Sequence, residues 1–370
     1  MTQLSEQPVL IFADPEPAIL RSARRVLHRG HSDWELHFCD SIDDAVMLAG
    51  SSTPWILVLD ESLLGADLTE AHALFERAPY ALRVILSSSS QENILYGSTR
   101  IAHLVLPKPF KKEDVETVLQ RAIHCAQLDL SPELRSCIAS LKSLPLLPEV
   151  YRQVSEELDK EEPKVDKIAK VIANQPQVLA RLLQIANSAM FGFTTPSKDT
   201  QQVIMRLGLD MVKHLVLFSG LFSSNNQRIS EDLMSQLAQE SQNYTARLHE
   251  LAARAGYPAT LKSSIWVAGL MHNIGKLVIL NCETSADIDP QRLQTEYPNA
   301  GALLLMLWGF PDEITRAISL QGAQSLEASE HKLVQLLNAA QCIGRSDFAN
   351  AMLDRIDDLD LREACLQFAS

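Results

Sequence analysis

The sequence predicts an α/β doubly wound domain followed by an all-α helical bundle, and three observations carry that division. Short, continuously apolar runs, each ending in a polar residue, recur through roughly the first third of the chain. Amphipathic helical patterns fill the spaces between them. From residue 141 onward the short runs stop and helical periodicity alone remains. Apolar strands alternating with helices describe βα units on a parallel sheet buried on both faces.

The strand candidates come in order. Val9-Leu-Ile-Phe-Ala13 ends at Asp14, and Trp55-Ile-Leu-Val-Leu59 ends at Asp60. Arg83-Val-Ile-Leu86 ends at Ser87, and His103-Leu-Val-Leu106 ends at Pro107-Lys108-Pro109. The first helix pattern covers residues 18–28, with Ile19, Ala23, Val26 and Leu27 on one side. Ligand sites in such sheets lie just past the carboxyl ends of the strands. Asp14, Asp60, Ser87 and Lys108 each stand at such an end. Singly, Asp14 is a turn residue and Lys108 a solvated lysine; four together at four strand ends form a chemically coherent set. An aspartate can take a phosphoryl group, a second acid can help hold Mg²⁺, and a lysine and a serine can contact phosphoryl oxygens.

Residues 1–125 thus resemble the receiver (flavodoxin-like) domain of two-component response regulators, with Lys108-Pro109-Phe110 as a further mark. The resemblance implies Asp60 as phospho-acceptor, Ser87 and Lys108 as phosphoryl-contacting groups, and Mg²⁺ held by Asp14, Glu16 and Asp60. The Lys-Pro bond is usually cis in that family. Three departures stand out. Pro15 occupies the place of the second acid, leaving Glu16 to compensate only if the loop is re-aimed. Val105 replaces the aromatic usual three positions before the lysine. Glu61-Ser62-Leu63-Leu64 replaces the usual Met-Pro after the acceptor. The basic cluster Arg21, Arg24, Arg25, His28 and Arg29 reads as a solvated helix surface before a docking face.

Residues 126–140 read as a short connector, with Ser131 as N-cap and Pro132 at the first helical position of a new helix. The bundle, 141–343, predicts helices over 150–158, 165–173, 177–188, 201–207 and 210–218, with Gly208 as a break. A long helix over 230–255 closes at Gly256, followed by helices over 265–272, 301–307, 312–320 and 331–343. The last segment, 344–370, reads as an acidic helical tail.

Within the bundle, five stretches resemble the HDOD domain, a non-hydrolytic relative of the HD and HD-GYP phosphohydrolases of bacterial signalling. They are Leu144-Pro-Leu-Leu-Pro-Glu-Val150, the run from Ile172 to Gly192, Val203-Ile-Met-Arg-Leu-Gly-Leu209, His272-Asn273-Ile-Gly-Lys276, and Gly301 to Pro311. Hydrolytic relatives read His-Asp where this chain reads His272-Asn273, and a neutral amide is a much poorer cation ligand than a carboxylate. Ser241-Gln242-Asn243-Tyr244 stands where an earlier His is expected, and His249 lies well past it. Tyr297-Pro298-Asn299 and Leu320-Gln321 stand where later ones are usual. His272, Asn273 and Lys276 therefore read as a degenerate remnant with no cofactor of its own. His272 is expected to be a buried, hydrogen-bonded core histidine and Lys276 a solvated or capping lysine. The Met190-Phe191-Gly192-Phe193 loop offers two aromatics, either to a partner or to the bundle itself.

Bulk properties set the remaining expectations. A net charge of −13 argues against general nucleic-acid binding. Six scattered cysteines without CxxC spacing predict free thiols in a reducing compartment. No basic start with an apolar run opens the chain, and no apolar stretch approaches a membrane span. The expectation is cytoplasmic, with no membrane partner. The sequence reading is a non-enzymatic response regulator that takes its signal from a sensor histidine kinase or phosphotransfer protein. The HDOD domain passes it to an unknown downstream protein, with homodimerisation left open. Two alternatives stand beside it: a metal-dependent HD-type phosphohydrolase with an unusual site, and a non-phosphorylated pseudo-receiver used for docking.

Overall fold

The computed structural model describes residues 7–30, 33–64, 69–88, 102–139, 149–158, 160, 162–174, 178–179, 182, 200–221, 229–283, 289–322, 331–343, 356 and 358–369. The helix predicted over 177–188, the Met190–Phe193 loop, most of the Leu144–Val150 motif and the first half of the acidic tail fall largely or wholly outside them. The chain divides into two compact units, 1–144 with 303–312, and 145–302 with 313–370.

The first unit is a five-stranded parallel sheet in the order β2-β1-β3-β4-β5. Its strands are β1 (Val9–Ala13), β2 (Glu35–Cys39), β3 (Ile56–Asp60), β4 (Leu82–Ser87) and β5 (Leu104–Pro107). Four match the apolar runs to within a residue. The fifth, β2, is an edge strand, half exposed along most of its length, and its sequence Glu-Leu-His-Phe-Cys is not a continuous apolar run. Around the sheet run α1 (Pro17–Gly30), α2 (Ile42–Ser51), α3 (Thr69–Arg77) and α4 (Lys112–Gln127). Ile11, Leu57, Leu59 and Ile85 from the sheet bury against Ala45, Ala49, Ala71, Leu74 and Phe75. Small alanines on α2 and α3 let those helices approach closely while the sheet supplies the bulk. The Lys108–Pro109 peptide is cis.

The next helix, α5 (Pro132–Ala139), opens as the sequence indicated, with Ser131 Oγ accepting from the Leu134 amide at 3.3 Å. It is more than a connector, however. His103 bridges the Arg83 amide and the Ala139 carbonyl (3.0 and 3.2 Å), and the Arg135 guanidinium donates to the carbonyls of Cys125 and Leu128. These bonds anchor α5 to the α/β layer, so the first unit runs to residue 144 rather than 125. Arg121, also buried, donates to the carbonyls of Met306 (3.3 Å) and Phe310 (3.0 Å), which lie in the 303–312 segment of the same unit.

Among the described residues the second unit is helical. It contains α6 (Glu149–Leu158), α7 (Val165–Ala173), α8 (Thr200–Leu207), α9 (Leu209–Leu221) and the long α10 (Glu231–Arg254). Then come α11 (Lys262–Met271), α12 (Ile274–Cys282), α13 (Pro290–Leu307, whose residues from 303 on count with the first unit), α14 (Asp312–Ser319, with Asp312 counted likewise), α15 (Lys332–Cys342) and α16 (Leu359–Ala369). Ser230 caps α10, and Gly256, at φ +66°, ends it. α10 is the central member, packed on α11, α15 and α16. Its Tyr244 hydroxyl donates to the Leu337 carbonyl at 2.6 Å.

Three sequence expectations change. α13 begins eleven residues earlier than the predicted start at 301 and continues through Pro298, a residue that in sequence reads as a breaker. Lys262–Cys282 has the length and apolarity of a membrane span, yet 83% of its most apolar window is buried inside the protein. It is the core pair α11 and α12. Cys137 and Cys282 are each in disulfide form, whereas Cys39, Cys125 and Cys365 are free and buried. Sequence spacing reports nothing about which cysteines meet in space, so the all-thiol expectation fails at those two.

Gly275, in the first turn of α12, is where two backbones meet. A Cβ there would stand 1.8 Å from the Tyr297 carbonyl oxygen and 2.7 Å from the Gly301 amide nitrogen of α13. Neither obstacle is a flexible side chain, so the helices must separate to admit a methyl group. Gly275→Ala is expected to destabilise the protein by at least about 3 kcal/mol, read as the shift in urea midpoint. A wild-type midpoint in that variant would refute the close crossing.

Candidate functional sites

The parallel register brings the carboxyl ends of β1, β3 and β4 and the residue after β5 to one edge. Asp14, Asp60 and Ser87 are all buried there. The Lys108 ammonium lies 2.7 Å from Asp14 Oδ2 and 2.5 Å from Asp60 Oδ2. Asp14 Oδ1 accepts from the Glu16 amide at 2.8 Å, and Asp60 Oδ1 accepts from the Ser62 amide at 2.9 Å and from its hydroxyl. Burial alone would push the Asp60 carboxyl up; hydrogen bonds from Lys108 and Ser62 outweigh it and hold it below the usual carboxylate range. For Lys108 burial pulls down, while Asp14 and Asp60 raise it above the ordinary lysine value. The two directions agree: Asp60 and Lys108 stand as an ion pair at neutral pH.

Two expected members sit differently. Glu16 is exposed and joins through its backbone N–H, so its carboxylate does not complete a three-acid cation site. Among the described residues no three of Asp, Glu, His or Cys gather as metal ligands. Asp14 and Asp60 remain the hard oxygen pair suited to Mg²⁺, with Lys108 between them. Ser87 donates its hydroxyl to Glu61, whose carboxylate also accepts from the Ser88 amide at 3.0 Å and the Ser88 hydroxyl at 3.2 Å. Glu61 is thus a site residue that sequence reasoning passed over as a mere departure. An acid directly after the acceptor position was the available signal.

In the second unit the His272-Asn273 pair falls at the break between α11 and α12. Asn273, fully buried, accepts from the Ser241 hydroxyl at 2.7 Å through Oδ1 and donates through Nδ2 to the Leu237 carbonyl at 2.9 Å. A carboxylate could accept the first bond but not supply the second. The amide is therefore the group that this environment requires, and Ser241, at the predicted first-histidine position, is its partner.

His272 is buried and stacks on Tyr244 at 4.0 Å between centroids. Its Nδ1 faces the Gly269 carbonyl at 2.8 Å. Burial lowers its pKa to about 4, so at neutral pH Nδ1 carries the proton and donates, leaving Nε2 an acceptor. Lys276 is not solvated, as sequence suggested, but held between Glu240 (3.0 and 3.1 Å) and the Tyr297 ring. His249 packs against Trp266 with the rings tilted, 4.7 Å between centroids, and does not join His272. Tyr297, Asn299 and Gln321, at the predicted downstream ligand positions, do line one cleft with His272. The fold brings these positions together, and the side chains at Tyr297, Asn299 and Gln321 are hydrogen-bonding neutrals. Glu240, Asn243, Tyr244 and Arg247 on α10 also line it; their i, i+3, i+4, i+7 spacing was a readable stripe.

These geometries fit the outcome of comparison with known proteins. The HDOD domain family model matches residues 144–323. An uncharacterised protein of Treponema pallidum is 21% identical over 245 residues, 59% of this chain. The chain spans about half (47%) of that relative's length. Among solved structures, a Shewanella amazonensis protein named as a candidate metal-dependent phosphohydrolase is 21% identical. It covers 65% of this chain and 100% of its own, at TM-score 0.47. The response regulator MmoQ of Methylococcus capsulatus is 18% identical, covering 60% of this chain and 98% of its own, at TM-score 0.32. Likeness at that level decides neither activity nor partners. Residues 144–323 carry an HDOD domain, joined to an N-terminal parallel α/β sheet.

Replacing the amide by an acid tests the account of Asn273. Asn273→Asp places a carboxylate against the Leu237 carbonyl and near Glu240, and should cost about 2–4 kcal/mol of unfolding free energy at neutral pH. Protonation restores a donor, so the deficit should shrink as pH falls. Unchanged stability, with metal now bound in stoichiometric amount, would show that the site had merely lost a ligand.

Proposed function

We propose that the chain is a signalling adaptor of the response-regulator type, in which a phosphoryl or partner signal at the Asp60 edge is relayed by an HDOD domain that does not hydrolyse phosphoesters. The observation that carries the first half is the Lys108 ammonium bridging Asp14 and Asp60 at the carboxyl edge of a 2-1-3-4-5 sheet. In the reading, an Asp60 carboxylate oxygen attacks phosphorus in a histidine-borne or small acyl phosphoryl donor. The donor's bond to phosphorus breaks, the leaving group keeps the electron pair, and an acyl phosphate remains. Mg²⁺, held by Asp14 and Asp60, would supply charge neutralisation. Lys108 stabilises the transferred oxygens. Two packings of the edge then differ in free energy by the new charge, which is the bias a relay needs.

Glu61 makes the reading specific. Its carboxylate occupies Ser87 and Ser88, and it adds negative charge beside the acceptor. Phosphorylation must draw Ser87 away from Glu61 and place two anionic groups side by side. That opposes the reaction and makes the change at the edge larger once it occurs. Incubation with acetyl phosphate and Mg²⁺ should add the mass of one phosphoryl group to the intact chain and none to Asp60→Asn. Glu61→Gln should label several-fold faster. Absence of labelling in both wild type and Glu61→Gln leaves a pseudo-receiver that works by docking alone.

The non-hydrolytic half rests on Asn273 being fully engaged by Ser241 and Leu237. Purified protein is expected to hold less than stoichiometric transition metal by elemental mass spectrometry, and to turn over no phosphodiester or nucleotide with added Mn²⁺. Metal-dependent cleavage abolished by His272→Ala would replace this reading with a hydrolase.

A further inference from the structure

The cleft beside His272 is larger than a vestige requires. It encloses about 920 Å³, entirely within the second unit, at the upper end of what small-ligand sites occupy. Polar side chains dominate its lining, with carboxamides at Asn243, Gln294 and Gln321. Gln321 is held in place: its amide donates to the His272 carbonyl at 2.6 Å, and its oxygen accepts from Gln341 at 2.9 Å.

Two groups in this wall have unused capacity. Arg247 makes one hydrogen bond, to the Ala340 carbonyl at 3.0 Å, and no ion pair among the described residues. The Lys276 charge, by contrast, is answered by Glu240. His272 is 4% exposed, lines the cleft, and has its Nδ1 committed to Gly269; among the described residues Nε2 has no hydrogen-bond partner. A guanidinium without a counter-charge calls for a carboxylate or phosphate. A buried imidazole acceptor calls for an O–H or N–H donor. Across Glu240, Lys276 and Arg247 the wall keeps one net positive charge, on a chain of net charge −13.

We propose that this cleft binds, without a metal ion, a small organic anion that carries both a carboxylate or phosphate and a hydroxyl or N–H donor. Arg247 pairs with the anionic group, His272 Nε2 accepts from the donor, and the carboxamides meet the remaining polar edges. No bond of the ligand is broken. The cleft is a second input to the adaptor, and it holds whether or not Asp60 accepts a phosphoryl group.

The test is calorimetric titration of the full chain, after EDTA treatment, with guanosine 5′-monophosphate, glucose 6-phosphate and malate. These probes separate nucleotide, sugar-phosphate and hydroxycarboxylate sources of the same chemistry. At least one is expected to bind with Kd under about 1 mM. Asn243 is exposed, so Asn243→Asp adds a negative charge to the cleft without disturbing the core, and should weaken that binding about tenfold or more. Arg247→Gln should do the same, with an unchanged melting temperature for Asn243→Asp certifying the fold. No binding by any of the three, binding that survives both substitutions, or binding that appears only with added Mn²⁺ overturns the proposal.

Discussion

The bundle turns on the Asn273 side chain. It sits where α11 stops and α12 starts, and it fastens that break to α10 by two hydrogen bonds of opposite sense. Removing either partner strands a buried polar atom, which costs far more than the bond itself contributes. The break in turn sets the direction of α12, and Gly275 two residues later lets α12 cross α13 at backbone contact. The position of Tyr297 against Lys276, and so one wall of the cleft, follows from that crossing. A residue that in sequence registers as a lost ligand is, in the folded protein, a joint.

The α/β unit solves a different electrostatic problem with a different group. Two carboxylates at adjacent strand ends repel, and burial makes the repulsion worse. Lys108 reaches in from the end of β5 and contacts both. Its stem is mostly covered, leaving 11% of the side chain exposed, so the pair is screened less than a surface ion pair would be. Glu61 and Ser62 then arrange the flank: one takes up the serines at the end of β4, the other supports Asp60.

How far this was visible in sequence differs by element. Strands buried on both faces announce themselves as apolar runs, which is why β1, β3, β4 and β5 and the residues at their ends were legible. The edge strand β2 needs only partial burial, so nothing in its composition separates it from a loop. Helix α13 was shortened at Pro298 because a proline removes one N–H wherever it falls, and sequence does not show whether packing on both sides offsets the loss. The sequence named His272, Tyr297, Asn299 and Gln321, which line one cleft, but not their partners. Whether Asn273 is idle or bonded depends on Ser241 and Leu237, thirty-odd residues away on another helix. Arg247 and Glu240 needed the helical stripe on α10 to be followed for two turns, and the paired cysteines needed coordinates.

The two sites answer one question in opposite ways. In each a lysine ammonium meets carboxylate: Lys108 with Asp14 and Asp60, Lys276 with Glu240. At the α/β edge two acids remain, with Lys108 on the Oδ2 of each and backbone amides on the Oδ1 atoms. In the bundle the residue after His272 is an amide whose donor is spent on a backbone carbonyl. What that wall retains is directional hydrogen bonding and, among the described residues, a single unanswered positive charge. On the proposed reading, that wall would serve recognition, and reversible charge change would belong to the first unit.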